Sequence, residues 1–319
     1  MRRIFQPLLL LLFPLAAFSA PAIDSPREML AAGRIDDVIT TLSARTSLPT
    51  DAESANLLCR AYLAIDDLNR AESLCKKAIS LQPENSEYHR WLGHVYGERA
   101  DRANFFSAAG LAGKTRQEFE RAVQLDPSSV EAHTDLAEFY YEAPGIVGGG
   151  QDKARAQAKI LASLSPGYEH WIYGHLAEKN NDPATAEREY HLMIEKSSGD
   201  SEAWLNLALF YRHQKRYDEM EKTLIQASKA PMSKPDVLVD AAQNLYRTGR
   251  NAPLAIELLK RYIASGPVEE APAFKAHYLL GMLLERQGDK TAAAREYRAS
   301  LSLARQFGLA QQALNRVSR

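Results

Sequence analysis

Residues Ser201 to Lys234 read SEAWLNLALFYRHQKRYDEMEKTLIQASKAPMSK, and stretches of this kind recur along most of the chain. A recurrence near 34 residues constrains the fold more than any other feature. Each unit is one supersecondary element whose apolar face only its neighbours can cover, so the chain must stack into an array. Within this stretch Trp204, Leu207, Ala208 and Tyr211 fall on one face of a helix. Lys215 and Arg216 mark a turn. Met220, Leu224 and Ala227 give a second helix its inner face, and Pro231 stands just past its end, where proline is common.

The same spacings return in copies near 52–85, 86–129, 130–166, 167–200, 235–268 and 274–307. Leu58, Tyr62, Ala71, Ala78 and Pro83 mark the first of these; Leu92, Gly93, Tyr96, Phe119, Ala122 and Pro127 mark the second. Leu136, Ala137, Tyr140, Ala154 and Pro166 follow, then Trp171, Gly174, Ala186 and Tyr190. Gly249, Ala255, Leu259 and Pro267 belong to the copy near 235, and Leu280, Gly281, Gly288, Ala293 and Tyr297 to the last. A degenerate unit precedes them all, with Gly33-Arg34 as its turn and Leu42 on its second helix. This pattern resembles the tetratricopeptide repeat. The resemblance implies an all-α, right-handed α-solenoid of about seven helix hairpins, with a degenerate N-terminal unit and a C-terminal capping helix within Leu303–Arg319.

Residues 1–22 are different in kind. Arg2 and Arg3 precede a short apolar core, Leu8 to Ala17, and small residues follow. This is the plan of a secretory signal peptide, with Ala20 and Ala22 offering a cleavage site after Ala22. The apolar run falls short of the roughly 20 residues that span a bilayer. The expectation is an exported chain, periplasmic or secreted, with residues 23–319 forming a single solenoid and no stable membrane span after signal removal. The formal charge is −1 and no Lys/Arg block occurs, so nothing in the charge balance points to nucleic acid.

Cys59 and Cys75 are the two cysteines, on the facing helices of one hairpin. Two readings stand: a disulfide, as an oxidising compartment favours, or two small buried residues filling the helix interface. No H-E-x-x-H, G-x-S-x-G or Cys/His cluster occurs, so the chain is expected to be neither an enzyme nor a cofactor or metal carrier. His94, Glu138 and His175 lie on successive repeats, too widely spaced to share one ion. His89, His133, His170 and His277 hold the large first-helix position and read as packing residues. Gly110-Leu-Ala-Gly-Lys114-Thr115 carries the end of a P-loop, but Ala108 replaces its first glycine and no strand precedes it; it reads as a helix-entry turn with Lys114 solvated.

Two copies depart from the period. The copy at 86 carries about ten extra residues within Gly97–Thr115, and that at 130 about five at Ala143–Gly150. Both fall between the helices of their hairpins and should be spatial neighbours. Phe105 and Phe106 are expected to tuck onto the solenoid.

The resemblance further implies a ligand groove lined by first helices. Repeat positions carried over place Arg60, Arg90, His94, Glu138 and Tyr141 on its first part. Trp171, His175, Leu205, Leu209, Tyr246, Tyr278 and Met282 fall on its middle and end, rimmed by Arg212, Arg247 and Arg286. Aromatic residues beside arginine are what binding hot spots favour, although Leu205 and Leu209 equally suit packing against the next hairpin. The expected function is a protein- or peptide-binding adaptor in the bacterial envelope. The alternative is a small-ligand carrier, as in repeat proteins associated with transporters, with a pocket closed by the two insertions.

Overall fold

The computed structural model describes residues 24–43 and 50–318 of the chain; the signal peptide expected at 1–22 lies outside them. Seventeen α-helices and one short 3-10 turn occur among the described residues, with no strand. They form eight hairpins: α1 (Pro26–Ala31) with α2 (Ile35–Ser43), α3 (Ala52–Ala64) with α4 (Leu68–Leu81), α5 (Ser86–Asp101) with α6 (Phe105–Leu125), and α7 (Val130–Glu142) with α8 (Gln151–Leu164). Then come α9 (Pro166–Lys179) with α10 (Pro183–Lys196), α11 (Ser201–His213) with α12 (Tyr217–Ala227), α13 (Val237–Thr248) with α14 (Ala252–Ser265), and α15 (Ala273–Arg286) with α16 (Lys290–Leu303). The final helix, α17 (Gly308–Val317), packs on α16.

Local chemistry sets the helix starts. Asp67, Asn85, Asn104, Ser129 and Asp289 each accept a hydrogen bond from the backbone N–H three residues on, satisfying a donor that the first turn leaves open. Asp66, Asn181, Lys215 and Gly288 take positive φ in the turns between paired helices.

Within the hairpins one device repeats. A Cβ built on Gly93, Gly174 or Gly281 would lie 2.4, 2.7 or 2.5 Å from the ring of Phe119, Tyr190 or Tyr297. The ring of the second helix therefore lies directly on the backbone of the first, and only glycine permits it. Tyr190 and Tyr297 are fully buried, and their hydroxyls donate to Glu178 and Glu285, each at 2.6 Å. Four residues before each of these glycines a histidine meets the second helix: His89 with Glu118 at 2.6 Å, His170 with Glu189 at 2.9 Å, His277 with Glu296 at 2.7 Å. His133 makes the equivalent contact with Gln157 at 2.6 Å. These four histidines do more than fill space, which is all their sequence position indicated: each ties the two helices of its own repeat together. Burial alone would lower the His89 pKa, but Glu118 and the Pro83 carbonyl more than offset it and raise it. In the first complete hairpin Cys59 and Cys75 are joined by a disulfide, with Cα atoms 5.3 Å apart and both side chains buried.

The array does not end open. Leu30, Ile35 and Val38 of the first hairpin share one buried cluster with Phe274, Ala304 and Phe307 from the other end of the chain. Gly33 sits in the left-handed region at φ 71°, and a Cβ there would lie 2.5 Å from the backbone nitrogen of Ala273. Asp36 accepts from the Arg305 backbone N–H at 3.0 Å and pairs with its guanidinium at 3.1 Å. Arg70 donates to Gln306 at 3.1 Å. One turn of solenoid thus closes on itself along a seam between its first and last units.

The two departures from the period take different forms. The longer one is absorbed by helices: α5 runs on to Asp101 and α6 is 21 residues long. Gly110 to Thr115 therefore lie inside a helix, not at a helix-entry turn, and Lys114 sits 5.3 Å over the Tyr96 ring. Phe106 does not tuck in but is 89% exposed. The shorter departure is a compact loop around the 3-10 turn Gly145–Val147, with Gly148 at φ 96° against the Arg116 side chain. That turn packs on α6, so the two departures are neighbours.

Candidate functional site

Closing the solenoid encloses a central space bounded by first helices. Two lobes of about 840 Å³ each open into it, and they share Arg60, Arg90, Trp91, Asp135, Glu138 and Glu270. The first lobe reaches the C-terminal ends of α3, α5 and α7, and the second reaches α9 and α11. The segment between α14 and α15 contributes Glu269, Glu270 and Pro272 to the wall.

The charged side chains here are arranged in fixed pairs. Arg60 is almost wholly buried; its Nε donates to Glu269 at 2.7 Å, a Nη to Glu87 at 2.7 Å, and its guanidinium lies 4.6 Å over the Trp91 ring. Arg60 therefore joins α3 to the closing segment 209 residues away. Arg90 donates to Asp135 at 2.7 Å, and His94 Nε2 lies 2.9 Å from the same carboxylate. Burial alone would raise the Asp135 carboxyl; His94 and Arg90 override it and hold it below the ordinary aspartate range.

Other carboxylates on this side have raised pKa values, although Glu202 accepts hydrogen bonds from the Tyr168 hydroxyl at 2.9 and 3.0 Å. Glu138 is reachable by water, yet protein crowds it within the concavity, and this desolvation together with nearby Asp135 raises its pKa. Glu202 and Asp236 are raised by the same cause, and Asp240 is pushed up to about 6 by desolvation and then by Asp236. These groups sit on α7, α11 and α13 or at their starts, and Glu138 and Glu202 line the lobes.

Of the residues that the repeat pattern placed on the groove, Arg60, Arg90, His94, Glu138 and Trp171 line this space. The others have different surroundings. Tyr141 is buried, its ring stacked on His175 at 4.8 Å, and the carbonyl of Tyr141 accepts from Lys179. Desolvation lowers the His175 pKa to about 4, so that ring is neutral. Trp171 packs edge-on to both and donates Nε1–H to Asn206 at 3.0 Å. Leu205 is buried and Leu209 partly buried, both packed into the central core. Arg212 donates to Asn244 at 2.7 Å. Arg286 lies 5.6 Å over Tyr246, whose backbone carbonyl it also reaches, while Arg247 is exposed. Tyr278 packs edge-on to Phe307 at the seam, and Met282 packs beneath α17. The closing residues Glu269 and Glu270 were absent from the sequence-based set, because they lie between helices where the repeat pattern assigns no face. No group of three or more His, Cys, Asp or Glu able to hold a metal ion occurs among the described residues, and no described helix is long and apolar enough to cross a membrane.

Models of the tetratricopeptide repeat match residues 52–85, 174–230 and 239–316. Among solved structures, yeast Tom70 superposes with a TM-score of 0.53 at 17% identity, covering 89% of this chain and 57% of that one. A tetratricopeptide repeat protein from Parabacteroides merdae gives 0.41 at 15% identity over 90% of this chain and 99% of its own. The Cut9 and Hcn1 tetramer of APC/C gives 0.41 at 12% identity, over 91% and 54%. At such identities the likeness is one of fold.

Proposed function

The chain belongs to the tetratricopeptide-repeat family, and from that premise we propose that it is an exported scaffold of the cell envelope that holds a protein or peptide partner in its central space. The observation that carries this reading is the enclosure itself. First helices, the surface through which such repeats present side chains, bound a lined concavity containing Trp91, Trp171, Arg60 and Arg90, the residue types that anchor interfaces. Export rests on the N-terminal sequence, and a disulfide in the first complete hairpin accords with an oxidising compartment.

A photo-crosslinking side chain at position 171 tests the reading, with the exposed outer position 160 as its control. The expected result is one discrete adduct from 171 and none from 160. Adducts from 160 alone would place the partner surface outside the ring. N-terminal sequencing of the envelope fraction should begin at Ile23; recovery of Met1 in the cytosol overturns the export element.

A small-ligand carrier is the second reading, and the size of the lobes favours it, since pockets for small molecules run to about 300–1,000 Å³. The first departure from the period contributes Gly97, Glu98, Asp101 and Thr115 to one wall, whereas no residue of 143–150 lines either lobe.

A further inference from the structure

We propose that the occupant of the central space is a lysine- or arginine-bearing polypeptide segment, seated between its carboxylates and its two indole rings. The inference rests on the scaffold reading above and adds the chemistry of the partner. Three observations carry it. First, the walls are acidic: one lobe presents eight carboxylates against three Lys or Arg, the other seven against four. Second, the arginines on those walls are already neutralised, Arg60 by Glu87 and Glu269 and Arg90 by Asp135. No ion pair among the described residues reaches Glu138 or Glu270, the two carboxylates common to both lobes that remain. Third, indole faces attract cations: the guanidiniums of Arg60 and Arg90 already lie over the Trp91 ring, at 4.6 and 5.6 Å, and Trp171 stands on the wall of the second lobe.

The spacing of the acids selects a polymer over an ion. Glu138 is on α7, Glu202 on α11 and Glu270 on the closing segment, strung along the space and not converging on one point. A chain with repeated cationic side chains can meet them in turn. An anionic segment would meet uncompensated charge, and an apolar one would leave it desolvated. The raised carboxyl of Glu138 agrees: an incoming cation supplies the compensation the fold leaves out.

The test uses the whole chain after signal removal and three fluorescein-labelled peptides of equal length, alternating Ala with Lys, Ser or Glu. Binding is read by anisotropy at roughly 50 and 300 mM salt, across which screening changes strongly. The Lys peptide should bind at least roughly tenfold tighter than the Ser peptide and weaken at the higher salt. Glu138→Gln with Glu270→Gln should remove that preference without lowering the melting temperature, while Glu257→Gln on the exposed face of α14 should leave the preference intact. Equal binding of Ser and Lys peptides overturns the cationic assignment and leaves the scaffold reading standing. Failure of every peptide to bind overturns both. Lys-peptide binding that survives the double substitution places the contact elsewhere and overturns the assignment. Spermidine binding more tightly than the Lys peptide overturns the assignment to a polypeptide.

Discussion

Replacing Gly33 by alanine is the most direct probe of the closed seam. Two costs arise. The residue occupies the left-handed region at φ 71°, where a Cβ costs about 1–2 kcal/mol. Its new methyl would also lie 2.5 Å from the Ala273 backbone nitrogen, and backbone cannot swing aside as a side chain can. Forcing apart a packed contact typically costs about 1–3 kcal/mol more. Gly288 is the matched control: it also has positive φ, at 89°, but nothing lies within 4 Å of the position its Cβ would take. Gly288→Ala should therefore lose only the conformational part. Gly33→Ala should lose that part and the seam, about 2–5 kcal/mol in all, or at least roughly 2 °C in Tm for each kcal/mol. Small-angle scattering should show a larger radius of gyration for Gly33→Ala only, as the first hairpin swings off Phe274 and Phe307. Equal Tm losses in the two variants, with superimposable scattering curves, would refute closure of the ring.

Three further outcomes are expected. Cys59→Ala with Cys75→Ala should lower the urea midpoint by the equivalent of about 3 kcal/mol, the usual contribution of a loop this short; a midpoint insensitive to both substitution and reductant would contradict it. Asp240→Asn should stabilise the fold at neutral pH. The carboxyl titrates near 6 in the fold, above its ordinary value, so its penalty is full above pH 6 and is relieved as pH falls towards 4. Because the side chain is water-accessible, the gain is about 1 kcal/mol after screening, and the variant and parent melting curves should converge near pH 4. Gly174→Ala should cost about 1–3 kcal/mol by pushing Tyr190 off the first helix, and Tyr190→Leu added to it should cost less than the two singly summed.

The hairpins were legible from sequence because each is a local object. Apolar spacing along α11 and α12, the turn at Lys215 and the glycine at Gly174 or Gly281 each act within one repeat. The closed seam was not legible for the converse reason. It sums small rotations over eight hairpins and brings Gly33 to Ala273, and no single position encodes that sum. Arg60 shows the limit within the site. Its repeat position marked it as facing the concavity, which it does, but its partner Glu269 lies in an irregular segment whose placement follows from closure alone. The histidine clasps were missed differently: the sequence places His89 and Glu118 on facing helices, but packing and hydrogen bonding demand the same position. The helical course of Gly110–Thr115 was hidden because its two glycines suit a helix-entry turn, whereas Gly110 and Gly113 both lie in open space on α6, where glycine costs only about 1 kcal/mol each.

The seam has a topological consequence. A solenoid with free ends can be laid along a partner anywhere on its length, but a loop of protein closed on itself can be entered only from an end. A strand flanked by folded domains would have to wait for the Gly33–Ala273 junction to part, and once it was inside, its departure would wait on the same event. For such a strand the lifetime of the complex is then set by how often the ring breaks, not by how strongly its walls attract, and the short contact between the first hairpin and α15 acts as a clasp on a necklace.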